Sequence, residues 1–334
     1  MKVSIRDLSK MTGFSPATIS NALNHKKGVN RETAEEIFRV ARETGYLSAN
    51  AVTKIRLVIF KKNGQILEET PFFQQMIEGI EEECHRLGYE MVISHVDQRN
   101  PDYQKQVRDL LEEQGVGIVL LGTEMMDGDL SLYRNASCPV LLLDHWTELM
   151  DFNSVLINNA DAARAITEHL LDNGHREVGY LRGNYRIKAF RSRFIGFQTA
   201  LKKYKVPYKE EYTVTVGTYM STACQDMLEY LKKKPKLPTA FFADNDIIAL
   251  GAMKALQEMG YRIPEDISIV GFDDLTFSEI SSPPLTTLRV EKREMGKMAV
   301  RRLVELIDGI GTSTVTKTQV CPKIVYRNTV KNIK

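Results

Sequence analysis

From about residue 55 the 334-residue chain alternates short apolar runs with longer amphipathic stretches, and it does so in two successive series. In the first, strand-like Ile55 to Phe60 precedes a helical stretch from Phe73 to Leu87. Tyr89 to Val96 then precedes one from Pro101 to Gln114, and the runs Val116 to Leu121 and Val140 to Leu143 follow. The second starts near Ala160, with helices over Ala160 to Asp172, Arg193 to Tyr204, Thr222 to Lys233 and Asp246 to Met259. They are interleaved with strands at Val178 to Leu181, Thr213 to Val216, Ala240 to Ala243 and Ile267 to Phe272. This alternation predicts an α/β body of doubly wound parallel sheets, and two series predict two lobes. A chain this long exceeds what one core holds. The last helix, about Arg293 to Asp308, and two strand-like runs after Thr314 have no third lobe to join. The chain is therefore expected to cross back and give each lobe late residues.

The first fifty residues follow a different pattern, that of a small all-α head. Ser4 is placed to cap a first helix with Asp7 closing a capping box, and Ile5, Leu8 and Met11 form its apolar stripe. Gly13 supplies the turn. Ser15 before Pro16 is a helix start, a capping hydroxyl followed by a residue whose missing N–H costs nothing at the first helical position. In that second helix Ile19 and Leu23 can face Leu8 and Phe14, while the small Ser9 lets the helices cross closely. Ala17, Thr18 and Asn21 are left facing outward, short and polar enough to enter a major groove.

Charge supports that reading. Residues 1–56 hold ten Lys and Arg against five acids, whereas the whole chain has a formal charge of only +2, so the basic excess lies at the end expected to meet phosphates. Four scattered cysteines (Cys84, Cys138, Cys224, Cys321), no secretory leader and no apolar membrane span point to a cytoplasmic protein with no membrane partner. The run Lys232 to Lys236 reads as a solvated helix end, where cations oppose the helix dipole. His169 and His175 lack metal-ligand spacing, and no nucleophile elbow, P-loop or dinucleotide fingerprint is present. No catalytic residues, metal or cofactor are expected.

The residues resemble the LacI/GalR (lactose-repressor/galactose-repressor) family of bacterial transcription regulators over nearly the whole chain. In the head the resemblance lies in Ile5-Arg6-Asp7-Leu8-Ser9, Gly13-Phe14-Ser15, Ala17-Thr18-Ile19-Ser20, Leu23-Asn24 and Gly28-Val29-Asn30. In the body it lies in Leu170-Leu171 with Gly174-His175-Arg176, Arg193 with Gly196-Phe197, and Asn245-Asp246 with Ala249 and Gly251. Pro264 with Asp266-Ile267-Ser268, Gly271-Phe272-Asp273-Asp274 and Pro283 to Thr287 continue it. The resemblance implies a helix-turn-helix head over residues 1–48, a hinge over 49–54 and an effector-binding and dimerisation domain over 55–334. That domain divides into a periplasmic-binding-protein-like N-lobe of about 55–157 and 288–315 and a C-lobe of about 158–287 and 316–334. It implies further a homodimeric repressor on a palindromic or pseudo-palindromic duplex operator, with a small-molecule effector between the lobes. No heptad tail follows the last strand, which favours a dimer. The hinge is shortened: after Gly45-Tyr46 only Leu47 to Lys54 precede the first strand, without an evident hinge helix or its wedging Leu.

By the same resemblance, Pro16, Ala17 and Asn21 fall at base-reading positions, and Asn21 stands where many relatives carry Arg. An amide suits adenine, a guanidinium guanine, so a different operator preference is expected; the other reading is that Asn21 caps or meets a phosphate. Ser15, Thr18, Ser20, Asn24 and His25 fit backbone contacts, and Asn50 stands for a hinge Asn. Effector contacts are implied for Phe72, Phe73, Asp144, Trp146, Arg193, Phe242, Asn245 and Asp273. Carboxylates, an amide and a guanidinium can pair with vicinal hydroxyls while aromatic faces stack. For Phe72, Phe73, Phe242 and Trp146 core packing is the alternative, and for Asp273 a turn cap. Val290, where sugar-binding relatives often have Gln, and Asn158-Asn159 in place of Asp-Asn remove polar contacts. A sugar or sugar derivative is the leading effector class and a nucleobase the second. A solute-binding protein or an enzyme on the same fold are the remaining readings.

Overall fold

Ser4 begins the first helix as the sequence predicts. Its Oγ accepts from the Asp7 amide at 3.3 Å, and the Asp7 carboxylate accepts from the Ser4 amide at 2.9 Å, so two otherwise orphaned donors are satisfied. A computed structural model describes residues 3–23, 28–46, 52–68, 71–309 and 314–334. The head comprises α1 (Ile5–Thr12), α2 (Pro16–Leu23) and α3 (Arg31–Glu43). Gly13 closes α1 at φ 77°, a left-handed conformation that a residue without Cβ adopts freely. Leu8, Ile19, Ala22, Ala34, Ile37, Phe38, Val40 and Ala41 form the core of the three helices. Ser9 Oγ donates to the Phe14 carbonyl at 2.6 Å and ties α1 to the turn.

The chain divides into two compact units. The first contains residues 1–62, 74–155 and 292–317, the second 63–73, 156–291 and 318–334. Beyond the head, the first series gives β1 (Lys54–Lys61), α4 (Phe72–Leu87), β2 (Glu90–Asp97), α5 (Tyr103–Glu112), β3 (Val116–Leu121), β4 (Val140–Leu143) and β5 (Asn153–Ile157). Strands run parallel in the order β2-β1-β3-β4-β5, with Lys54 in register with both Glu90 and Val116. β3 is buried throughout, as a strand covered on both faces should be. The buried strand β5 was not expected from the sequence: its polar first two residues mask the Val155-Leu156-Ile157 run.

The second series gives α6 (Asn159–Asp172), β6 (Val178–Gly183), α7 (Lys188–Lys203), β7 (Thr213–Val216), α8 (Met220–Lys232), β8 (Ala240–Ala243), α9 (Asp246–Glu258), β9 (Ser268–Val270), α10 (Thr276–Ile280) and β10 (Thr287–Arg289). Four parallel strands stand in the order β7-β6-β8-β9. In both sheets the order turns back beside the first strand, which places the switch point between β1 and β3 and between β6 and β8. The chain leaves the second unit after Glu291, forms α11 (Lys292–Ile307), and returns at Thr318. β11 (Lys317–Val320) lies beside β5, and β12 (Lys323–Val325) pairs antiparallel with β10.

Among the described residues no helix is long and apolar enough to cross a membrane, and no group of three or more His, Cys, Asp or Glu could hold a metal ion. The four cysteines are unpaired.

Candidate functional site

Ser15 caps α2, its Oγ accepting from the Thr18 amide at 3.1 Å and lying 2.8 Å from Thr18 Oγ1. With Ile19 and Ala22 buried against the other helices, the opposite side of α2 faces out. Ser15, Pro16 and Ala17 are exposed, and Thr18, Ser20 and Asn21 half-buried. Asn24, His25 and Asn50, with residues 49–51 of the hinge, lie outside the described residues.

In the second unit, polar side chains converge where β6, β8 and β9 end. Arg193 projects from α7 and is buried, 4% exposed. Its Nε donates to Asn159 Oδ1 at the start of α6 (2.8 Å), its Nη1 to the Asp244 carbonyl (2.6 Å), and its Nη2 lies 3.4 Å from Asp273 Oδ1. The guanidinium stands 3.6 Å above the centroid of Phe272 and 5.5 Å from that of Phe190. Two anchors and a stacking face thus fix its plane. The contact to Asp273 is long for a charge-assisted pair, so an oriented guanidinium and a carboxylate stand side by side with a loose bond between them. Asp273 is buried at φ 119°, an uncommon conformation for a residue with a side chain. Asn245 caps α9, its Oδ1 accepting from the Ile248 amide at 3.0 Å.

Two flanking acids, Asp244 and Asp246, were not expected as site residues from the sequence. Asp244 accepts from Tyr180 Oη (2.5 Å), the Gly183 amide (2.8 Å) and Arg186. Burial pushes its carboxyl up, opposed by the Arg186 charge and these donors. Asp246 accepts from Ser278 Oγ (2.6 Å), the Leu275 amide (2.9 Å) and Thr287 Oγ1 (2.5 Å). Burial, and next the charge of Asp273, push its carboxyl up to about 7. The available signal was the run Asp244-Asn245-Asp246 straight after an apolar strand, because acids are buried only with partners.

The other residues expected to meet the effector stand on other elements. Phe242 is fully buried among Tyr180 and Phe197, with centroids at 5.5 and 6.3 Å, which is the packing alternative of the sequence reading. Phe72 and Phe73 open α4, buried and edge to face at 5.1 Å. In the first unit Asp144, at φ 55°, accepts from Thr123 Oγ1 at 2.7 Å. Trp146 is 41% exposed, and Lys317 Nζ sits 4.8 Å from its ring centroid while donating to the Thr147 carbonyl.

The described residues form a three-helix head followed by two units with parallel sheets, the second of which carries a buried polar cluster at its strand ends. A model of the periplasmic binding protein-like domain matches residues 167–330. The HTH-type transcriptional repressor PurR of Mannheimia succiniciproducens is 31% identical over 333 residues, covering 98% of this chain and 99% of the relative. Among solved structures, the transcriptional regulator CelR in complex with cellobiose superposes with a TM-score of 0.74 at 25% identity, over 98% of this chain and all of that one. The lac repressor dimer bound to operator and the anti-inducer ONPF gives 0.73 at 25% identity, over 99% and all. The chain belongs to the LacI/GalR family of transcription regulators and is not an enzyme.

Proposed function

We propose that this chain is a cytoplasmic, homodimeric repressor of a palindromic or pseudo-palindromic operator, whose affinity for DNA is set by a small molecule held at the Arg193–Asp273 face. The observation that carries the DNA reading is the outward side of α2, capped by Ser15, with Ala17 exposed and Asn21 beside it. A solved relative is a dimer bound to operator, which supports the assembly. Ser15, Pro16, Ala17, Thr18, Ser20 and Asn21 would meet DNA, joined by Asn24, His25 and Asn50. Site selection from random duplexes should enrich one inverted repeat; no enrichment would remove the assignment.

For the effector, Arg193, Asp273 and Asn245 offer donors beside an acceptor, the pattern that pairs with vicinal hydroxyls, so a sugar or sugar derivative is the first class. The same donor-beside-acceptor pair fits a nucleobase edge, the second class. Phe72 and Phe73, in the same unit, would add to either ligand's surroundings, while Phe242 would act from the core beside Tyr180. Thermal unfolding against sugars, sugar phosphates and nucleobases tests this. A ligand at about 100 times its Kd adds about 2.7 kcal/mol, and Asp273→Asn should abolish the gain. An upshift that survives Asp273→Asn would place the effector elsewhere.

A further inference from the structure

Asp274 follows Asp273 directly, and its side chain is turned to another task. It is nearly buried, at φ 50°, and its carboxylate accepts from Arg289 Nε and Arg327 Nη2, each at 2.6 Å. Burial pushes this carboxyl up, but hydrogen bonds and charge from Arg289 and Arg327 outweigh it and hold it below the usual carboxylate range. Arg289 is the last residue of β10, and Arg327 lies two residues after β12. These two strands pair with each other, Thr287 to Val325 and Arg289 to Lys323. They are also the segments by which the chain prepares to leave the second unit after Glu291 and re-enters it at Thr318.

Asp273 is tied to the same ribbon by its backbone. Its amide donates to the Leu288 carbonyl at 2.9 Å, and Gly271 donates to Thr286 two residues earlier. Arg327 adds a bond from Nη1 to the Leu285 carbonyl (2.9 Å) and one from its amide to Thr286 Oγ1 (3.0 Å). The dipeptide therefore has one carboxylate on Arg193 and the next on Arg289, which ends β10, and on Arg327, just beyond β12.

We propose that Asp274 is a positioning residue that carries the state of the Arg193–Asp273 face to the β10–β12 ribbon. Both carboxylates sit on left-handed backbone, where a rotation that alters the Asp273 contact to Arg193 also turns the adjoining carboxylate against the guanidiniums of Arg289 and Arg327. The inference rests on the effector face proposed above but concerns a coupling present without ligand.

The test is residue-resolved amide hydrogen exchange on the full-length protein without added ligand, comparing wild type, Asp273→Asn, Asp274→Asn and the double variant. Asn tolerates positive φ, so each change removes charge with little backbone penalty. Asp274→Asn should speed exchange of the β10 and β12 amides at least tenfold and leave β6 and β8 unchanged. Asp273→Asn alone should speed the ribbon several-fold, and should add nothing when Asp274 is already Asn. A ribbon exchanging at the wild-type rate in Asp274→Asn would overturn the proposal. So would an Asp273→Asn effect that persists in the Asp274→Asn background, or a uniform rise across the second unit. Should Asp274→Asn not fold, Arg289→Gln removes the more exposed cation and serves in the same comparison. A ligand panel that shifts nothing would count against the effector reading alone, because the exchange experiment contains no ligand.

Discussion

Asp246 combines full burial with three donors, and the balance between them makes stability depend on pH. Its folded pKa of about 7 lies above the ordinary 3.8, because burial and the Asp273 charge disfavour the anion more than Ser278, Thr287 and the Leu275 amide favour it. An acid whose folded pKa is raised contributes most below its unfolded pKa, and that contribution is lost as pH rises from about 4 through about 7. Chemical unfolding should therefore show wild type losing roughly 2 kcal/mol more than Asp246→Asn between pH 5 and 7.5. Parallel profiles would mean that the carboxylate is ionised throughout. At the proposed DNA face, Asn21→Arg exchanges an amide, which suits adenine, for a guanidinium, which suits guanine. Site selection with the variant should move the consensus at one position of each half-site, with discrimination of about 1–3 kcal/mol. An unchanged consensus with weaker binding would assign Asn21 to a phosphate.

At the scale of elements, α7 reaches the strand ends only because it packs unusually close to α6. A Cβ on Gly196 would lie 2.1 Å from the Ala160 carbonyl oxygen and 2.9 Å from the Ala163 Cβ, both on α6. Arg193 is three residues before Gly196, and its Nε bond goes to Asn159 at the start of that helix. Gly196→Ala should thus cost about 1–3 kcal/mol of stability and weaken effector binding together, as overpacking forces the helices apart. Unfolding and ligand titration on one preparation check it; lost stability with intact affinity would show that Arg193 does not depend on the crossing. The strand and helix order was legible because each element carries its own period, and the caps at Ser4 and Ser15 because they need only local residues. β5 was hidden by the polar residues Asn153 and Ser154; Asn153 Oδ1 is used to accept from Arg302 and Thr316. Likewise Arg193 and Asp273 were singled out by resemblance, whereas Asp244, Asp246 and Asn159 bond to partners 29 to 64 positions away in sequence, whose identity the local run Asp244-Asn245-Asp246 does not record.

Over the whole molecule, charge is divided between the DNA-facing end and the rest. Residues 1–56 carry a net +5, and the remaining 278 residues a net −3. A regulator so divided should bind its operator through counterion release from the heads and bind its effector through short-range contacts inside the second unit. The two equilibria should consequently respond to salt very differently. If a dimer neutralises 6–10 phosphates, operator affinity should fall by roughly 10³ to 10⁵ between 50 and 200 mM salt, whereas effector affinity should move less than about twofold. Fluorescence anisotropy of a labelled operator across that range gives the first slope, and titration calorimetry gives the second. The ratio of effector affinities with and without operator must equal the ratio of operator affinities with and without effector at every salt concentration, because linkage is reciprocal. A shallow operator slope would mean that the heads' basic excess does not meet phosphates. A steep effector slope would mean that the small molecule is itself a multiply charged anion rather than a neutral sugar or base.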